Sequence, residues 1–136
     1  MKKGKRVKPR LPIEYRALIT QRYNEREKQT VTVFALRTVN EFTNFRYEIV
    51  VLPELFDQTI RLNIHGLRTP QVALPGSGPA MCEVEYRNLD GVYTLIVSKL
   101  DRGENNFEVS ISGKHITIDK TPQEKFVEVV TSEEEW

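Results

Sequence analysis

The 136-residue chain predicts an all-β protein, an antiparallel β-sandwich of about 7–9 strands. Three observations lead there. Successive short runs alternate apolar and polar residues with period two, the mark of a strand with one buried face. Gly, Pro, Asn and Asp clusters punctuate those runs at short spacing. No segment sustains a convincing helical period. A flat sheet of that many strands would leave one apolar face in water. Packing two sheets or closing a barrel solves this, and a sandwich is the commoner solution at this length.

The densest signal is the stretch 80–119, which reads as two consecutive hairpins. In its first half Cys82, Val84 and Tyr86 share one parity and Glu83, Glu85 and Arg87 the other, and Asp90-Gly91 follows as a turn. In the second half Phe107, Val109 and Ile111 lead to a turn at Ser112-Gly113-Lys114, then Ile116 and Ile118. Gly91 and Gly113 stand where a hairpin turn needs positive φ. The polar segment 101–106 is expected to join the two.

The remaining elements follow in order. Residues 1–10 have no apolar partner set and are expected to form a flexible basic arm. Over 11–20 a helix would place Pro12 in its first turn and Glu14 at its positive end. At helical spacing, however, Ile13, Tyr15, Ala17, Leu18, Ile19 and Tyr23 spread around the whole barrel. At strand spacing all but Leu18 share one parity, so a strand is expected. Residues 29–40 are rich in β-branched side chains, and Val33 to Leu36 are apolar on both parities, as in a strand covered on both faces. Phe45, Tyr47, Ile49 and Val51 alternate with Arg46 and Glu48 until Pro53, which is expected to end that strand. Ile60, Leu62 and Ile64 form another, closed by Gly66. Residues 67–79 read as a loop and Phe126 to Thr131 as a last strand. The domain is thus expected over 11–131, with an acidic tail at 132–136.

The segment from Asn88 to Val97 resembles the corner before the penultimate strand of an immunoglobulin-like sandwich, where Asp and Gly precede a Tyr whose hydroxyl bonds back to the turn. Tyr93, two residues after Gly91, takes that place. The resemblance covers about a dozen residues and implies a fold class. It departs from antibody domains in having Leu95 where they carry a cysteine.

The net charge of +1 hides a division. Lys2, Lys3, Lys5, Arg6, Lys8 and Arg10 crowd the first ten residues without an acid; without these six the chain has 14 basic against 19 acidic residues. No apolar run approaches the roughly 18 residues that cross a bilayer, and no apolar stretch follows the basic start as in a secretory signal. Neither membrane nor secretion is therefore expected. Cys82 is the one cysteine; its parity makes it a small buried hydrophobe, and the lack of a possible internal disulfide fits the cytoplasm.

Catalytic constellations are weak throughout. His65 and His115 fall on outward parity without ligands at metal spacing, so no metal is expected. The 75–79 run, PGSGP, lacks the lysine and the following helix of a phosphate loop. Glu83, Glu85 and Glu108 could share a sheet face, but alternating outward charges are how a solvated face looks. The expectation is a non-catalytic protein-interaction or assembly module without a cofactor, engaging a protein partner or a second copy through an edge strand, the 67–79 loop or the charged ends. Trp136, after three glutamates, is a candidate docking handle. The alternative is binding of nucleic acid or another polyanion through Lys2 to Arg10; an enzyme ranks last.

Overall fold

Alternation becomes pairing along most of the chain. The structure, a computed structural model, describes residues 12–43, 46–70 and 76–136. Nine strands follow one another: β1 Tyr15–Asn24, β2 Gln29–Phe42, β3 Glu48–Phe56, β4 Thr59–Arg68, β5 Gly78–Arg87, β6 Gly91–Lys99, β7 Gly103–Ser112, β8 His115–Lys120 and β9 Val127–Val130. They hydrogen-bond in the order β8-β7-β6-β4-β3-β5-β2-β1-β9 as one continuous sheet that curls nearly into a barrel.

The sheet is mixed, which corrects the antiparallel expectation. β1 runs parallel to β9, β4 to β6 and β3 to β5. The reason lies in the stretch expected as the first hairpin: β5 and β6 do not pair. β5 lies between β2 and β3, and β6 between β4 and β7. Residues 88–90, which connect them, are too short to go around the sheet. Three extended residues reach about 10 Å, the usual distance between facing layers, so the chain crosses directly from one wall of the curl to the other. Asn88 takes the left-handed conformation (φ 58°) and Gly91 a positive φ of 119°. Tyr93 anchors the crossing: its hydroxyl accepts from the Asp90 amide at 3.0 Å and donates to the Asp90 carbonyl at 3.3 Å.

The second expected hairpin forms. Ser112 pairs with His115 across Gly113-Lys114, and Gly113 supplies φ 57°. The 101–106 segment is partly strand rather than turn, since β7 begins at Gly103 and pairs with β6 from there. Within 11–20 the strand begins at Tyr15, residues 12–14 lying outside it: Tyr15, Ala17 and Ile19 are buried on one parity. In β2, Thr32 to Leu36 are all buried, as a strand covered on both faces requires.

Two expected strand ends do not occur. Gly66 lies inside β4, where the register shifts between Val50 and Val51 of the partner strand; a bulge tolerates its φ of 133°. Pro53 lies inside β3 opposite Leu62. The two-residue turn Asp57-Gln58 makes Phe56 and Thr59 a hydrogen-bonded pair, so Val51, Pro53 and Leu55 point their backbone groups away from β4. The amide that proline lacks would have faced outward, and no ladder bond is lost.

The core fills the curl with Phe34, Leu36, Ile60, Leu62, Leu95, Val97, Phe107, Ile111 and Phe126. Asn105, buried at the start of β7, holds the two ends of the sheet together. Its carboxamide oxygen accepts from the amides of Phe126 (2.8 Å) and Val127 (3.2 Å), and its nitrogen donates to the Glu124 carbonyl at 3.0 Å. No helix among the described residues is long and apolar enough to cross a membrane.

Candidate functional site

The weakest pairing within the sheet is that of β3 and β5. One pair, Glu48 with Met81, bridges them, reinforced by the Met81 amide donating to the Tyr47 carbonyl at 3.3 Å. Beyond that pair the strands part, and two edges without a partner strand among the described residues border the opening. On the β3 side, Val51, Pro53 and Leu55 stand opposite Ile64, Leu62 and Ile60 and so share their inward face. Ile60 and Leu62 are fully buried, yet Leu55 is 44% exposed. On the β5 side, Cys82, Val84 and Tyr86 continue the parity of buried Ala80 but are only half-buried. Tyr86 rests edge-on against Phe34, centroids 5.7 Å apart, and its buried hydroxyl has no hydrogen-bond partner among the described residues. Leu52 and Phe56, on the outer face of β3, are also exposed. Core-facing apolar side chains here lack the neighbouring strand that covers them elsewhere.

This region was missed in the sequence reading. The signal was present in Leu52-Pro53-Glu54-Leu55-Phe56-Asp57, where apolar residues occupy both parities beside a proline, a pattern that a solvated edge has no reason to carry. Asp57 adopts φ 53°, and Asp tolerates the left-handed region better than most residues, so it also marked the turn.

The expected site residues are dispersed. Lys2, Lys3, Lys5, Arg6, Lys8 and Arg10 lie outside the described residues. Trp136 is half-buried against Leu18, Ala35 and Val130 on the outer face of β1 and β2. Its indole N–H donates to the Arg16 carbonyl at 3.4 Å, and Arg37 stacks 5.7 Å from its ring centre and bonds its backbone oxygen. This placement engages the indole with the chain's own surface. The residues before it turn back, the Glu135 amide donating to the Ser132 carbonyl at 3.1 Å.

The carboxylates do not gather. Arg22 grips Glu83 through two bonds of 3.0 Å and holds its carboxyl below the usual range. Asn24 approaches Glu85, while Glu108 sits on the other wall, 3.9 Å from Lys120. His65 and His115 are both exposed. His65 does border a shallow concavity of about 630 Å³ with Lys99, Asp101 and Glu104. The cations there already engage the acids: Lys99 binds Glu14 (3.0 Å) and Asp101 (3.1 Å), and Arg61 binds Glu104 (2.6 Å). Among the described residues no His, Cys, Asp and Glu side chains gather in threes as a metal site would need. Burial pushes the Cys82 thiol up to about 11, the opposite of an activated nucleophile.

No family model, curated protein or solved structure matches the chain at a significant level.

Proposed function

We propose that the domain is a non-catalytic interaction module that takes an extended segment of a partner protein into the opening between β3 and β5. The observation carrying this reading is the single Glu48–Met81 bridge followed by two diverging unpaired edges, with Val51, Leu55, Val84 and Tyr86 incompletely covered behind them. A strand laid along an edge gains main-chain hydrogen bonds, while its alternate side chains supply specificity. The partner segment therefore carries apolar residues at every second position, to meet the inward faces of β3 and β5. Pro53 offers a carbonyl but no amide, which fixes one position where the incoming strand must donate.

The same reading takes the curled sheet as an immunoglobulin-like sandwich opened along one side, and the bond of Tyr93 to Asp90 supports that. The lone thiol of Cys82 fits a reducing compartment such as the cytoplasm. Selection from a library of short random peptides tests the function. Recovered binders should alternate apolar and polar residues and fail on Leu55→Asp or Val84→Asp protein. Binders without alternation, or binders indifferent to both substitutions, would overturn the reading.

A second reading rests on the six positive charges of residues 1–10: they contact phosphates of a nucleic acid, with affinity falling steeply as salt rises. Electrophoretic-shift assays at low and near-physiological salt test it. Binding should disappear in a chain starting at Leu11; a shift that survives this truncation removes the arm from the explanation.

A further inference from the structure

A different edge carries a second and independent inference. The sheet has two terminal strands, β8 and β9, and a further exposed edge along β3. Proteins blunt such edges with proline, very short strands, charged side chains, β-bulges or inward-pointing charge. β3 carries Pro53, and β9 has only four residues. β8 (HITIDK) is six residues long and has no proline, and its inward residues Ile116 and Ile118 pack on the main core. Its bulge at Asp119 and its charged Lys120 sit at the far end of the strand, and residues 115–118 pair regularly with β7 and carry none of these devices. Because Ser112 and His115 flank a two-residue turn as a hydrogen-bonded pair, Ile116 and Ile118 point their amides and carbonyls outward, away from β7. No backbone hydrogen bond among the described residues uses that side.

We propose that β8 pairs antiparallel with β8 of a second copy about a two-fold axis through Thr117. Residues 116–118 are self-complementary in this register. Ile116 meets Ile118 of the second copy and the reverse, each pair exchanging two backbone hydrogen bonds, about four in all. Thr117 faces its own equivalent, a favourable cross-strand pair. The regular pairing ends at Asp119, where β8 bulges. Its carboxylate is held by Thr117 (3.0 Å) and by Ser110 of β7, which bond its two oxygens. The two-fold joins both sheets through one edge and brings the half-buried Ile116 and Ile118 of each copy together. An interface one strand wide makes a concentration-dependent dimer rather than a permanent one.

Sedimentation equilibrium of the full chain across a wide concentration range is the test, with variants confined to exposed side chains of β8. The wild-type chain should dimerise reversibly. Thr117→Lys sets two ammonium groups face to face and should weaken the dimer by about tenfold or more. Thr117→Val, which keeps a neutral β-branched side chain on the axis, should leave it largely intact. Amide exchange at Ile116 and Ile118 should slow as concentration rises. A chain that stays monomeric, a dimer indifferent to Thr117→Lys, or one lost equally with Thr117→Val would overturn the proposal. Peptide binding at the β3–β5 opening is unaffected by these variants, so the two readings fail separately.

Discussion

The carboxamide oxygen of Asn105 lies 2.8 Å from the Phe126 amide, and this bond ties the start of β7 to the entry of β9. It does what strand pairing does elsewhere: it joins the two ends of a sheet that stops short of closing. The same side chain also satisfies Val127 and Glu124. Asn105→Ala leaves two amides and a carbonyl without their partner at a site 4% exposed. Urea unfolding should show a loss of about 2–4 kcal/mol. A loss under about half a kcal/mol would mean that water replaces all three bonds.

Tyr93→Phe removes the hydroxyl that pins the crossing between β5 and β6 while keeping the buried ring. The Asp90 amide and carbonyl can then turn to solvent, so the expected cost is smaller, about 1 kcal/mol, again read from urea unfolding.

The thiol of Cys82, raised to about 11 by burial, holds little thiolate near pH 8. Alkylation in the folded chain should be roughly a hundredfold slower than in urea, where the thiol returns to its ordinary range. Comparable rates would mean that the β3–β5 opening exposes the sulfur to solvent.

Arg22 holds the Glu83 carboxyl below its ordinary range. A carboxylate shifted downward by folding stabilises the fold above its unfolded pKa and loses that contribution as pH falls through the lowered value. The pair is partly exposed, so Arg22→Gln should cost no more than about 0.5–1 kcal/mol at neutral pH. The difference should vanish in acid. Unfolding curves of both proteins at the two pH values decide it.

Trp136 is the only tryptophan, so its fluorescence reports the patch it covers. Its emission should shift to the red on unfolding. Trp136→Ala, which uncovers Leu18, Ala35 and Val130, should cost about 1–2 kcal/mol.

Strand character was written locally. The parity of Tyr15, Ala17 and Ile19, the two-sided apolar run of β2 and the Gly113 turn each depend on a few adjacent residues, and each survives in the structure. The site was less legible. Val84 read as an ordinary inward position and Leu55 lay beyond the strand end expected at Pro53, and only the divergence of β3 from β5 leaves them uncovered. Asn105 read as a turn residue because burial of a polar side chain shows only where its three backbone partners arrive from twenty residues away.

By itself the sequence determined that this chain is built of strands, where most of them lie and which of their faces turn inward, because a period of two is a property of neighbours along the chain. The tertiary structure alone decided which strands pair. Asp90-Gly91 looked like a hairpin turn, yet three residues suffice to cross between facing walls, and the choice between turning back and crossing rests on what waits on the other side. With that choice came the parallel pairings, the opening beside β3 and the free edge of β8, because an edge is a strand whose partner is missing and no residue in the strand records that alone.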